Sequence, residues 1–557
     1  MIQNIIPSFR ESFSVRKDAV TLDGDKAKTA RGTRGVVEEF FCLHSGSGAL
    51  TPHKKSAALV KGEIMKILLV YPKYPDTFWS LKHALKFISK RATHPPLGLL
   101  TVAALLPKEW DKKLVDMNVT PLGDTDIEWA DLVFVSAMSI QKTSVEEVIG
   151  RCRGLGVGVV AGGPLFTTDR EGFKGIDHLV LNEAEVTLPP FLRDLENGCA
   201  KRLYTSREFA DLAHTPVPLW ELIDMKKYAT MSIQYSRGCP FNCEFCDIAV
   251  LYGHKVRTKR KDPLLAELEN LYANGWRGDV FFVDDNFIGN KRALKADILP
   301  AMIEWMEQRK HPFRFNTEAS VDLSDDERLT QLMVTAGFTS VFVGIETPNE
   351  ESLAECNKIQ NKNRDLIGSV KKLQRSGLYV TGGFIVGFDN DPPSIFERLI
   401  AFIQESGIVT AMVGLLNAPR GTALYQRLME EGRLLKDISG DNTDSTMNFV
   451  PKMDYQKLIK GYERIINRIY SPGPYYDRVV RLLREYKPMR RKSFHFRFNH
   501  LGAFFKSIFI LGIRDKERGY YWRLFLWSLF RRPRLFPLAM TFAIYGFNHR
   551  KIFEDCL

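Results

Sequence analysis

The order of apolar and polar positions divides the chain into stretches of different character. Residues 1–64 carry no hydrophobic period and are rich in Lys, Thr, Ser and Gly, so they read as a disordered extension; Met65 opens the first strong apolar run and reads as the functional start. Between 65 and 200, short apolar runs at Ile67–Val70, Leu132–Ser136, Val157–Ala161 and His178–Leu181 alternate with helical periods such as Leu97–Leu106 and Val145–Leu155. That alternation predicts an α/β, doubly wound domain on a parallel sheet, with its ligand at the carboxyl ends of the strands. Ser136-Ala-Met-Ser139 and Gly162-Gly-Pro164 fall at those ends. Residues 201–228, with Pro216 and Pro218, read as a linker. From 229 to 430, six further runs follow: Met231–Tyr235, Val280–Val283, Phe313–Asn316, Ser340–Gly344, Val380–Val386 and Thr410–Leu416. They predict a partial barrel of βα units with its reactive groups at the C-terminal mouth. Residues 431–486 read as a helical C-terminal domain, with an amphipathic stretch through Tyr455–Tyr470, and 487–557 as a separate tail.

Composition narrows the class. At 557 residues, 45% hydrophobic and 26% charged, the chain is neither a small module nor a disordered or polytopic membrane protein. The net charge of +12 sits almost wholly in the tail, where 15 Lys and Arg face 4 Asp and Glu among 17 aromatic residues. The apolar segments Leu501–Leu511 and Leu535–Asn548 are shorter than the about 20 residues a spanning helix needs. The tail is therefore expected to lie in a membrane interface, with Tyr520-Tyr-Trp522 and Arg531-Arg-Pro-Arg534 at anionic headgroups. A helical cap packed on the barrel is the next reading. Nucleic-acid binding is the weakest, because the Leu, Ile and Phe runs exceed what a nucleic-acid groove requires. The expected location is the cytoplasm, peripheral on the inner membrane face.

The candidate chemistry lies in the cysteines. Of eight, Cys239, Cys243 and Cys246 occur together in Ser236-Arg-Gly-Cys239-Pro-Phe-Asn-Cys243-Glu-Phe-Cys246, a CxxxCxxC spacing that places three thiols on one loop after the first barrel strand. Such clustering indicates metal in a reducing compartment, either zinc or an iron-sulfur cluster. Structural zinc normally takes four ligands, and His254 is the nearest candidate for a fourth. Three thiolates on a four-iron cluster leave one iron open to a substrate or cofactor.

With this loop at the first strand of a partial barrel, the sequence resembles the radical S-adenosylmethionine (SAM) superfamily. The resemblance implies a [4Fe-4S] cluster on Cys239, Cys243 and Cys246. It also implies SAM contacts from Phe245, from Asp284, Asp285 and Asn286 after the second strand, from Glu346 after the fourth, and from Gly383 and Gly387 in a strand similar to the family's GxIxGxxE. Asp391 stands near the place of that motif's Glu. The preceding α/β domain resembles the cobalamin-binding branch, sometimes called class B, through Pro95–Leu106, Ser136–Ser139, Gly162–Pro164 and Asn182-Glu-Ala-Glu185. This implies cobalamin contacts from Leu97, Gly98, Ser136, Ser139, Gly162, Gly163, Pro164 and Glu183. With no DxHxxG motif, cobalt is expected without a histidine ligand.

Asn417-Ala-Pro-Arg-Gly421-Thr422-Ala-Leu-Tyr425, Glu431-Gly-Arg433 and Cys246–Gly253 are similar to the subgroup that contains the hopanoid C-2 methylase. The implied activity is methyl transfer to an unactivated carbon of a hydrophobic, lipid-like substrate. One SAM methylates cobalt and a second yields the 5′-deoxyadenosyl radical, with a one-electron donor such as flavodoxin or ferredoxin. Glu318 and Tyr235 are candidates for the substrate pocket, or else packed interior residues. The alternatives are a radical SAM cyclase, oxidoreductase or carbon-carbon coupling enzyme on the same scaffold, and a zinc-bearing module that binds membrane or RNA.

Overall fold

Lys66–Tyr71 (β1) carries four consecutive buried residues, as a strand covered on both faces requires. It lies next to the edge strand of a parallel sheet formed with Asp111–Asp116 (β2), Leu132–Ser136 (β3), Gly158–Gly162 (β4), His178–Val180 (β5) and Leu203–Tyr204 (β6), in the order β2-β1-β3-β4-β5-β6. Separate apolar clusters cover its two faces. The computed structural model describes residues 64–435, 439–441, 444–488 and 498–556, all within one compact unit. Apart from Ile64, the expected disordered extension lies outside the described residues.

A second six-stranded parallel sheet forms the partial barrel. Met231–Ile233 (β7) lies at its edge, followed in space by Gly278–Phe282 (β10), Phe313–Glu318 (β11), Phe338–Glu346 (β12), Tyr379–Val386 (β13) and Ala411–Leu415 (β14). Between β7 and β10, Ser236–Arg237 (β8) and Arg257–Thr258 (β9) pair antiparallel and enclose the cysteine loop.

The segment expected as a linker is part of the folded structure. β6 completes the first sheet, Trp220 is fully buried, and Tyr228 Oη donates to the buried Asp116 Oδ2 at 3.0 Å.

The tail also departs from expectation. Helix Phe536–Cys556 buries Ala539, Met540, Phe542 and Ala543. It stacks His549 on Phe78 at 4.1 Å between ring centroids. Asn548 Oδ1 accepts from the backbone N–H groups of His83 and Ala84 at 3.0 Å each. Tyr475 Oη, on the preceding helix Pro472–Glu485, donates to the Phe542 carbonyl at 2.6 Å, so no packing break separates the helical domain from the tail. Two of the three residues of the expected aromatic anchor face inward: Tyr521 is buried against Ser507 and Trp522 Nε1 donates to the Gly512 carbonyl at 2.9 Å, whereas Tyr520 stacks on Tyr476 and stays 37% exposed. This part of the tail is the packing cap. No helix among the described residues is long and apolar enough to cross a membrane.

Candidate active site at the facing strand ends

The cysteine loop is held at both ends. Cys239 N–H donates to the Gly253 carbonyl at 3.3 Å, and Glu244 N–H donates to the Cys356 carbonyl at 2.9 Å. The Glu244 carboxylate forms a bidentate pair with Arg427 at 2.7 and 3.1 Å. The three thiols are free and partly buried. Amide donors approach two of them: Asn286 Nδ2 lies 3.9 Å from Cys239 Sγ, and Gln360 Nε2 lies 3.8 Å from Cys243 Sγ. Burial pushes the Cys246 thiol up to about 12, so its thiolate form needs a positive centre beside it. Among the described residues no three His, Cys, Asp or Glu side chains converge on one metal-ion position. His254 directs Nδ1 to the Phe241 carbonyl at 3.3 Å, leaving the zinc reading without an evident fourth ligand. A four-iron cluster takes one thiolate per iron and needs no common point, so this donor set fits it better.

The residues expected to bind SAM divide into two groups. Asp284 is fully buried and already occupied, accepting from Tyr235 N–H at 3.0 Å and from the Ser236 hydroxyl at 2.5 Å. It supports the base of the cysteine loop. Asp285 differs, since its Oδ2 is buried with no hydrogen-bond partner. Burial and the Asp284 charge raise its carboxyl to about 7. Burial and then the Asp285 and Asp284 charges raise Glu318 to about 8, and it has no ion-pair partner among the described residues. Carboxylates gathered without a counter-ion form a pocket for a cation, and the ammonium and sulfonium of SAM are cations.

Glu346, itself buried, ends β12 at φ +64°, in the left-handed region, and pairs with the partly buried Lys358 at 2.6 Å. Asn286, also buried, binds Ser320 at 3.2 Å. Gly383 leaves room for a protein ring: a Cβ there would sit 2.7 Å from Phe342 Cζ. Gly387 has φ +103°, and its N–H donates to Asp391 Oδ2 at 2.8 Å; Asp391 therefore holds a turn. Phe245 lies 6.3 Å from Phe388 between ring centroids and beneath Lys358.

Inside the barrel the strands alternate unevenly. Outward residues such as Val280, Phe282, Phe315, Val343, Phe384 and Val413 are fully buried. The alternate set, Phe281, Asn316, Glu318, Phe342, Ile385 and Met412, is only partly buried, so the lumen is not filled as in a packed barrel. Trp79, from the loop after β1, reaches into it: Nε1 lies 3.1 Å from Met412 Sδ, and the indole meets Phe342 edge-on at 5.5 Å while staying 45% exposed.

The expected cobalamin residues lie around the carboxyl ends of the first sheet. Ser136, Gly162, Gly163 and Pro164 are partly buried, Gly98 is exposed in open space where a Cβ would meet nothing within 4 Å, and Leu97 begins the helix Leu97–Leu105. Gly163 takes φ +91°, and a Cβ there would lie 2.5 Å from Ser136 Oγ. A planar macrocycle suits this shelf of small residues and open backbone. Ser139 is covered by Gly440, where a Cβ would lie 2.9 Å from Ser139 Cβ. Glu183 is also unavailable: it is buried and grips Arg257 at 2.7 and 2.8 Å, while Glu185 grips Arg237 at 2.7 and 3.1 Å. Both arginines belong to the β8–β9 hairpin, so Asn182–Glu185 joins the first domain to the cysteine loop. The carboxyl ends of the two sheets thereby face each other.

A B12 binding domain matches residues 88–192, and the radical SAM superfamily matches 233–403. The hopanoid C-2 methylase of Rhodopseudomonas palustris is 34% identical over 412 residues, 73% of this chain and 77% of that protein. The chain belongs to the cobalamin-binding radical SAM enzymes. An uncharacterized methyltransferase of Synechocystis sp. is 41% identical over 487 residues, 86% of this chain and 91% of that protein. A domain of unknown function (DUF4070) matches 422–557, joining the helical region and the tail. The solved structure of the cobalamin-dependent SAM radical enzyme OxsB shares this radical SAM fold at TM-score 0.56 and 15% identity, covering 89% of this chain and 80% of that one. The radical SAM methyltransferase TsrM from Kitasatospora setae does so at TM-score 0.56 and 14% identity, covering 88% of this chain and 99% of that one. The [4Fe-4S] cluster, SAM and cobalamin expected from the sequence are the cofactors of this radical SAM family.

Lys358, Gln360, Trp79 and Phe342 were not singled out from sequence. Lys358 and Gln360 follow the strand that ends at Glu346, a weak cue at most. No local signal marks Trp79, which comes from the other domain.

Proposed function

We propose that this enzyme transfers a methyl group to an unactivated carbon of a hydrophobic, lipid-like substrate. The observation that carries the reading is the half-open lumen lined by Trp79, Phe281, Phe342, Ile385 and Met412, between the cysteine loop and the shelf of the first sheet. Its walls are mainly apolar, and burying an extended hydrocarbon against them is favourable by about 25 cal/mol per Å².

The bound cofactors supply a carbon-centred radical and a transferable methyl group. The chain's own residues do the rest. Asp285 and Glu318 present carboxylates to the cationic end of SAM, and Asn286 and Gln360 direct N–H groups at the thiolates. The Glu183 and Glu185 clamps hold the two domains together, which fixes the separation of the two reactive centres. A small flavodoxin or ferredoxin is the one-electron donor in this reading, and the substrate is drawn from the inner membrane face.

Lipid profiling of a strain lacking the protein tests this. The expected result is loss of a methylated lipid and accumulation of its form about 14 Da lighter, one methylene, restored by the wild-type chain and not by Cys239→Ala. An unchanged lipid profile, with a desmethyl compound accumulating in the aqueous extract, would overturn the substrate class.

A further inference from the structure

The helical hairpin of the tail keeps one face uncovered. Its first arm runs as an α-helix through Phe498–Ser507 and a π-helix through Ile508–Arg514; its second is Arg518–Arg531. Ala503, Ser507, Leu511, Tyr521, Leu524 and Ser528 are buried against the protein, and Phe504 stacks on Phe525 between the arms. On the first arm Leu501, Phe505, Phe509 and Ile513 are exposed at intervals of four, with Phe505 at 59%, Phe509 at 52% and Ile513 at 57%. A spacing of four drifts slowly around an α-helix, and the wider π turn draws the later residues back toward the same stripe. On the second arm Leu526, Leu529 and Phe530 are exposed at helical spacing, Phe530 at 76%. Exposed large apolar residues in two such stripes are uncommon on a surface that faces only water.

Charge identifies the partner. Every exposed charged residue among the described residues 498–535 is basic: Lys506, Arg514, Lys516, Arg518, Arg523, Arg531 and Arg534. The two acidic residues of the hairpin, Asp515 and Glu517, are partly buried, and Asp515 faces Arg550 at 3.4 Å. The exposed Asp477 of the neighbouring helix lies 3.8 Å from Arg523, and the rest of the edge is basic; apolar stripes edged mainly by arginine and lysine fit a bilayer surface with anionic headgroups, into which such helices sink without spanning it.

We propose that the hairpin 498–531 docks the enzyme on an anionic lipid surface through Leu501, Phe505, Phe509, Ile513, Leu526, Leu529 and Phe530. The inserting residues are therefore different from the Tyr520–Trp522 anchor, of which Tyr521 and Trp522 pack inward. The purpose of docking rests on the lipid-phase substrate proposed above, and the test separates the two.

The full chain, anaerobically reconstituted with iron, sulfide and cobalamin, is sedimented with vesicles of phosphatidylglycerol and phosphatidylcholine, and with phosphatidylcholine alone. The wild type is expected to pellet with the anionic vesicles, weakly with the neutral ones, and less in high salt. Phe505→Ser with Phe530→Ser should weaken binding about tenfold or more, and Arg531→Glu with Arg534→Glu should abolish the preference for anionic lipid. Both pairs are solvent-exposed, and unchanged SAM cleavage would show that they fold. Wild-type protein left in the supernatant, or binding indifferent to both variants, would overturn the proposal. So would a dimer in light scattering that the Phe variant dissolves, since a second copy would then cover the face. Vesicle binding without methyl transfer would leave docking standing and refute the proposed reaction.

Discussion

The clamp between the first domain and the cysteine loop makes a quantitative prediction. Glu183 has a side chain only 2% exposed, and its oxygens accept from Arg257 Nη1 at 2.8 Å, from Arg257 Nη2 at 2.7 Å and from Ala210 N–H at 2.5 Å. Glu183→Ala leaves the Arg257 guanidinium, 14% exposed, without a counter-charge, on the Ala210 and Tyr252 carbonyls at 3.0 and 3.2 Å and over the Phe209 ring at 4.7 Å. Removing one partner of a buried pair costs about 3–5 kcal/mol, because the orphaned charge keeps its desolvation penalty. Part of that loss falls on local opening of the β8–β9 hairpin. At about 3 kcal/mol, hydrogen exchange of its amides should quicken by about a hundredfold, while the far edge of the barrel near β14 changes little. Arg257→Met in the same chain should recover much of the loss, because no unpaired charge then remains. Exchange by mass spectrometry on the single and double variants is the assay. Hairpin exchange within about threefold of wild type in Glu183→Ala, or losses that add in the double variant, would refute the reasoning.

Other consequences can be checked separately. Burial raises Glu318 to about 8, so the folded apo-protein binds a proton there that the unfolded chain releases near the ordinary carboxyl value. Stability should therefore fall as pH rises from about 4 toward 8, and Glu318→Gln should flatten that slope in denaturant titrations at several pH values. In reconstituted protein the same carboxylate favours a cation, so SAM affinity by calorimetry should rise between about pH 6.5 and about 8.5, and Glu318→Gln should lose that rise. Gly163→Ala places a Cβ 2.5 Å from Ser136 Oγ at a positive φ, and should cost about 1–3 kcal/mol and lower the cobalamin retained after gel filtration. Trp79→Ala removes one wall of the lumen; KM for the substrate should rise about tenfold or more while SAM cleavage without substrate is unchanged.

Much of the fold was legible because buried parallel strands are continuous apolar runs. β1 and β3 lie within a residue or two of the runs read for them, and all six barrel strands were found. β2, Asp-Lys-Lys-Leu-Val-Asp, was missed because it is an edge strand with polar residues on its exposed positions. β6 was missed because two residues make no pattern. The CxxxCxxC motif is legible because its spacing is local. The partner of Glu183 is illegible for the opposite reason: a Glu after a strand looks the same whether it meets a ligand or an arginine 74 residues away. The Tyr-Tyr-Trp anchor failed similarly, since composition does not show which face of a helix a neighbour covers.

The central claim is that one chain couples radical formation at the cysteine loop to methyl transfer from cobalamin. Single-pot product analysis decides this: the anaerobically reconstituted enzyme, reductant, SAM and a lipid extract of the deletion strain are combined and the products quantified by mass spectrometry. The expected result is 5′-deoxyadenosine and S-adenosylhomocysteine in equal amounts with each methylated product; with Cys239→Ala, 5′-deoxyadenosine and methylated product are absent and S-adenosylhomocysteine does not exceed the cobalamin present. 5′-Deoxyadenosine without S-adenosylhomocysteine or a methylated lipid would contradict it.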